Sequence, residues 1–210
     1  MKKALAAVAM LGMMASAHAD YMVKEGFESV SALSGKGWVM NNASTPAGSL
    51  GWFGGDQQIF RAQNGTPGSF IASSYNAAAV GGTLANWLIT PEFSIDQGAK
   101  VSFWARADGL DGFSDMFSFG FSDGSSAPAA FSMTAAETAG TDGWVRYEAR
   151  FEKGLTGTAR FALLYTGDAD SSNYIGFDNL RVSAIPEPSS MLILGAGVMG
   201  LVAARRRKRG

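Results

Sequence analysis

From Trp87 to Val182 apolar and polar residues alternate in short runs, and clusters of Gly, Asn, Asp and Ser separate the runs. Lys100 to Arg106 places Val101, Phe103 and Ala105 on one side, and Phe117, Phe119 and Phe121 repeat the same period of two. Trp144 to Phe151 alternates charged Arg146, Glu148 and Arg150 with apolar neighbours. Trp87 to Thr90, leading into Pro91, then Thr158 to Tyr165 and Tyr174 to Val182 complete the series. A period of two marks a strand with one dry and one wet face. Strands at this spacing predict an all-β fold, a jelly-roll β-sandwich, because each sheet buries only one face. Residues 41–82 break the pattern, being rich in Gly, Ser, Ala and Asn with isolated aromatic residues, and read as long loops with short strands. Aromatic rings in such loops either pin the loop to the core or stack on a sugar, and Trp52, Phe53 and Tyr75 are the candidates for stacking.

The two ends follow other rules. Lys2 and Lys3 precede an apolar run from Ala4 to Ala15, and Ala17-His18-Ala19 supplies small residues for signal peptidase, so residues 1–19 read as a signal peptide. At the far end Pro186 and Pro188 withhold backbone donors and close the domain, which spans residues 20–184. Ser189 to Ala204 carries no charge. As a single hydrophobic helix it would rise about 24 Å, slightly under the ~30 Å of a bilayer's hydrocarbon core. Arg205 to Arg209 would then stay on the cytoplasmic side of that transmembrane segment.

These ends change what chemistry remains. His18 is the one histidine, it lies in the signal peptide, and the chain has no cysteine. Ser-His-Asp catalysis, thiol catalysis and His- or Cys-ligated zinc are therefore excluded for the mature chain. Two of the 17 basic residues lie in the signal peptide and five in the tail, leaving ten against 18 acids between Asp20 and Glu187. A balance of about −8 repels nucleic acid and suits a surface module or a binder of hard cations. No phosphate loop, Gly-x-Ser-x-Gly elbow or dinucleotide fingerprint occurs in the domain, and no carboxylate pair stands out as a glycosidase pair, so the domain reads as a non-enzyme with a glycan hydrolase ranked last.

Pro186-Glu187-Pro188, the glycine-bearing apolar run and Arg205-Arg206-Arg207-Lys208-Arg209 closely resemble the PEP-CTERM sorting signal. The resemblance implies that Pro186, Glu187 and Pro188 are recognised by exosortase, a membrane cysteine peptidase that hands its substrates to a surface or matrix acceptor. Glu25-Gly26-Phe27-Glu28, Gly37-Trp38, Asn86-Trp87-Leu88-Ile89-Thr90-Pro91, Val101-Ser102-Phe103-Trp104-Ala105-Arg106 and Gly176-Phe177-Asp178-Asn179-Leu180-Arg181-Val182 are similar to choice-of-anchor J domains, relatives of cleaved-adhesin and MAM-type jelly rolls. Such folds bring the first and last strands together, which would set Glu28 near Asp178. Two carboxylates there either bridge a structural calcium ion or cap turns and pair with Lys24 or Arg181. Asp108, Asp111, Asp115 and Asp123 read as solvated turns, and the 167–173 loop as a third acidic stretch with a slightly greater chance of touching calcium. The function expected is an exported surface or extracellular-matrix protein serving adhesion or biofilm structure. The alternative is a carbohydrate-binding module for exopolysaccharide.

Overall fold

In the computed structural model, which describes residues 21–151 and 157–185, the alternating runs pair into two antiparallel sheets packed face to face. The first sheet orders Val145–Phe151 (β12), Ala99–Ala107 (β8), Tyr174–Ala184 (β14), Ile71–Ser74 (β5) and Phe53–Gly54 (β4), with Tyr21–Glu25 (β1) beside the second half of β14. The second orders Ser132–Met133 (β10), Met116–Ser122 (β9), Thr158–Asp168 (β13), Ala78–Ile89 (β6) and Val39–Asn42 (β2). Glu137–Thr138 (β11), Thr45–Ala47 (β3) and Phe93–Ser94 (β7) flank β9, β6 and β13. First and last strands do meet: Val23 stands opposite Val182 and Glu25 opposite Leu180. The expected signal peptide, residues 1–19, and the tail beyond Ile185 lie outside the described residues.

The inward residues of the alternation make the core. Phe103 stacks on Tyr147 with ring centroids 5.5 Å apart, and Phe117 meets Phe177 edge-on at 5.4 Å. Phe103, Phe117, Phe161 and Phe177 are fully buried, and burying each such ring contributes about 1.5–3 kcal/mol. Asn86 crosses this layer, its side-chain amide donating to Ser73 Oγ at 2.9 Å and joining the second sheet to the first.

Three elements depart from the sequence reading. Strand β6 begins at Ala78 rather than near Trp87, running through Gly81 and Gly82. Gly81 takes φ 71°, which favours glycine, and a Cβ at Gly82 would lie 2.8 Å from Ala79 O. Small residues let the strand bulge where the turn chemistry suggested loop. The stretch from Gly55 to Phe70, second, does not rest on the core between the sheets. It folds over the outer face of the first sheet, where Phe60 and Phe70 stack at 5.0 Å and both meet Trp144 edge-on. Glycine is required beneath this lid, since a Cβ at Gly176 would come within 3.0 Å of both rings and one at Gly55 within 2.3 Å of Phe70. Third, Asp115 is buried, not solvated.

Candidate functional site

Strand β14 runs from a loop cluster at one end of the sandwich to the tail joint at the other. Eleven residues at about 3.3 Å each separate these ends by roughly 33 Å. At the loop end, residues 47–49, 75–80, 110–113 and 169–173 surround a groove of about 990 Å³. Tyr75, Leu110 and Phe113 line it as exposed apolar side chains, and Val80 is 92% exposed. Asn76, Asp170 and Asn173 supply polar atoms along the same walls.

Hydrogen bonds hold the groove's walls in place. Asp170 Oδ1 accepts from Gly81 N at 2.9 Å, and Asp168 Oδ1 accepts from Asp170 N at 2.9 Å. Beneath them Asp115 Oδ1 accepts from Tyr165 Oη at 2.5 Å and from Asn173 N at 2.9 Å, while Asn173 Nδ2 donates to Asp108 Oδ2 at 2.9 Å. Burial raises the Asp115 carboxyl above the usual range, and the bonds from Tyr165 and Asn173 oppose that shift. Burial likewise pushes the Tyr165 hydroxyl up, so it stays a donor. The acidic runs at 108–115 and 167–173 thus serve as cross-ties between loops. Asp111 and Asp123 are exposed, as turn residues should be.

Midway along β14 lies the second candidate. Here the strand changes edge partner, from β5 at Tyr174–Phe177 to β1 at Leu180–Ser183, and the register with β8 shifts between Asp178 and Arg181. Asn179 takes φ 50°, a left-handed conformation that Asn tolerates better than most residues. Asp178 is fully buried under the lid. Its Oδ2 accepts from Gln63 N at 2.9 Å and Asn64 N at 3.1 Å, and its Oδ1 accepts from Asn179 N at 2.6 Å. Asn179 Nδ2 donates to Gln63 Oε1 at 2.6 Å and closes the knot. Burial pushes the Asp178 carboxyl up to about 6, the three backbone donors pull against this, and the charge of Glu28 adds to the rise.

Glu28 reaches this seam through a tight turn. Phe27 adopts φ 56° yet is buried against Trp38 at 5.6 Å, and its N–H donates to Glu25 Oε1 at 2.9 Å. Lys36 Nζ pairs with Glu25 Oε2 at 2.8 Å. A Cβ at Gly26 would stand 2.6 Å from Glu28 Oε1, so glycine leaves room for that carboxylate. Neither Lys24 nor Arg181 pairs with Glu28 or Asp178 among the described residues. No group of three or more carboxylates gathers there among the described residues, so a cation would need amide and backbone oxygens besides Glu28 and Asp178.

The three aromatic candidates separate. Trp52 wedges against Phe177 at 5.8 Å and Phe53 packs on Tyr174 at 6.0 Å, whereas Tyr75 is exposed in the groove. Leu110 and Phe113 were missed as groove residues. An apolar pair in a Gly- and Asp-rich turn was the available signal, since such a turn gains nothing from exposed rings. Pro186, Glu187 and Pro188 lie outside the described residues.

Comparison with known proteins agrees with both halves of the chain. Residues 184–208 match the PEP-CTERM protein-sorting motif. The K1 cleaved adhesin domain of Lys-gingipain from Porphyromonas gingivalis W83 superposes with a TM-score of 0.61 at 21% identity, covering 78% of this chain and 98% of that one. The K3 cleaved adhesin domain of the same protein gives 0.58 at 17% identity, covering 79% and 98%. TmCBM61, solved in complex with β-1,4-galactotriose, gives 0.52 at 13% identity, covering 79% and 99%. No curated protein matches the chain in sequence. The chain carries a PEP-CTERM protein-sorting motif, and its domain is a jelly-roll sandwich of the kind seen in cleaved adhesin domains.

Proposed function

We propose that this protein is a surface or matrix adhesion module that engages its partner through the groove lined by Tyr75, Leu110 and Phe113. Its sorting motif implies export and handling by exosortase. One observation carries the proposal: the exposed apolar groove sits at the end of the sandwich opposite Ala184, where the motif begins. A domain attached through that end presents the groove outward. Signal peptidase would release residues 1–19, and exosortase would act at Pro186, Glu187 and Pro188. The domain is read as non-catalytic, because Asp178 is covered by the lid and the groove carboxylate of Asp170 is engaged by Gly81 N. A cell-retention assay tests the reading. Substituting Tyr75 and Phe113 by Ala should release cells from the matrix while the protein still reaches the surface, and unchanged retention would refute it.

A second reading rests on a specific observation, the mixture of Tyr75 and Phe113 with Asn76, Asp170 and Asn173 in one groove. Aromatic faces with neighbouring amides and carboxylates suit a sugar ring, which offers apolar C–H faces and polar edges. Polysaccharide binding is then the form adhesion takes, and a glycan array with the Tyr75→Ala control separates it from binding to protein.

We also propose a structural calcium ion at Glu28 and Asp178. Support comes from two carboxylates near enough for one to raise the other's pKa, with no basic side chain paired to either among the described residues. The three N–H donors take both lone pairs of Oδ2 but one of Oδ1, which leaves Oδ1 with capacity for a cation. Calcium competes with protons there, so its stabilisation should be present at pH 7 and fade as pH falls below about 6. Thermal unfolding with calcium and with chelator at both pH values measures it, and no calcium shift at pH 7 removes the ion.

A further inference from the structure

Beyond the lid, the outer face of the first sheet is basic and uncovered among the described residues. Lys24, Lys100, Arg146, Arg150 and Arg181 all stand on it, half of the ten basic residues between Asp20 and Glu187. Among the described residues Glu148 is the acid on this face, bonded to Lys100 Nζ at 2.8 Å and Arg146 Nη1 at 2.7 Å. Register sets like charges directly opposite each other twice, Arg150 against Lys100 and Lys24 against Arg181. Such pairs weaken a sheet. Arg181 has the Tyr21 ring 5.5 Å from its guanidinium carbon, a buried Nε without an acceptor, and no carboxylate partner among the described residues. A domain of about −8 that concentrates its positive charge on one face, against its own stability, is built for an external anion there.

Position identifies that anion. A hollow of about 390 Å³ between Arg146, Arg150 and Arg181 is lined also by Ser183, Ala184 and Ile185, the last residues before the Pro-Glu-Pro. Ile185 N donates to Gly98 O at 3.4 Å, so the chain leaves the sandwich beside the patch. We infer that this face docks on the anionic phospholipid headgroups of the membrane holding the unprocessed tail, laying the domain on the bilayer while the Pro-Glu-Pro is presented to the sorting peptidase. The inference rests on the reading of residues 189–204 as a membrane segment. Release from the membrane after cleavage then leaves the patch solvated.

The absence of cysteine allows a single label to be placed. Full-length chain carrying Ser102→Cys, within the patch, or Val80→Cys, at the opposite end, is reconstituted into phosphatidylcholine vesicles with or without phosphatidylglycerol and with headgroup quenchers. Flotation with neutral vesicles reports the membrane segment separately. Quenching at position 102 should exceed that at position 80 several-fold in anionic vesicles only. It should fall at least twofold in about 0.5 M salt, where the screening length shrinks below its ~10 Å value at 0.1 M. Lys24→Glu with Arg150→Glu, both exposed positions, should abolish the difference, as should Arg146→Glu with Arg181→Glu. Equal quenching in neutral vesicles, or none at position 102 while the chain floats, overturns the inference. So does protection of the 102 label by a soluble polyuronate that exceeds the effect of anionic vesicles, which would give the face to polysaccharide.

Discussion

Replacing Asp178 by Ala removes the acceptor for three backbone donors, those of Gln63, Asn64 and Asn179. Each bond to a charged acceptor contributes about 1.5–3 kcal/mol, so the gross loss is roughly 4.5–9 kcal/mol. Two terms reduce it. Gln63 and Asn64 are near the lid's rim, where water recovers part of their bonding. The buried charge is itself unfavourable, as the rise to about 6 shows, and two pKa units correspond to at most roughly 3 kcal/mol before solvent screening at the rim is discounted. The net cost at pH 7 is then about 2–5 kcal/mol, which in a domain of this size lowers Tm by roughly 5–15 °C. Thermal unfolding in chelator measures it without any contribution from calcium. The sign with pH follows as well. A carboxyl whose folded pKa lies above its unfolded value favours the folded state at low pH, and that contribution is lost as pH rises from about 4 through 6. Wild type should therefore gain stability between pH 7 and pH 5 relative to Asp178→Asn. An Asp178→Ala protein melting within a degree of wild type, with the same pH slope, would refute the knot as the lid's fastening.

Other expectations follow from the same geometry. Phe70→Ala should cost about 3–5 kcal/mol, and because the ring is fully buried between Gly55, Gly176 and Phe60, limited proteolysis should cut first within residues 55–70. Tyr165→Phe withdraws the hydroxyl from Asp115 and should destabilise by about 1–3 kcal/mol, with faster hydrogen exchange at Asn173 N in the groove wall. Ala at Pro186, Glu187 and Pro188 should leave an uncleaved, membrane-retained precursor, visible as a larger band in the membrane fraction; normal processing would contradict the roles given to these residues.

How much was legible in the sequence depended on the range over which each feature is decided. Strand periodicity is local, so β8, β9, β12, β13 and β14 were readable from residues such as Val101, Phe103 and Phe119. The C-terminal sorting motif was readable for the same reason, since a sorting peptidase reads consecutive residues. Glu28 lies near enough for its charge to act on Asp178. Two of the three donors that hold Asp178 were invisible because they are backbone groups 114 and 115 residues away. The seat of the lid was not legible because Phe60 and Phe70 show that an apolar surface is needed without saying which face of which sheet provides it. Asp115 looked like any turn carboxylate until Tyr165, 50 positions later, was set beside it. The basic face escaped notice because its five cations come from four separate strands, whose register alone aligns them.

The adhesive groove is tested most directly by measuring how tightly the exported protein binds matrix material, wild type beside Tyr75→Ala/Phe113→Ala. Losing two aromatic contacts of about 0.5–1.5 kcal/mol each, beyond their area, should weaken binding roughly tenfold or more with Tm unchanged, because both side chains are exposed. Equal binding by the double variant would place adhesion elsewhere on the domain and contradict the account.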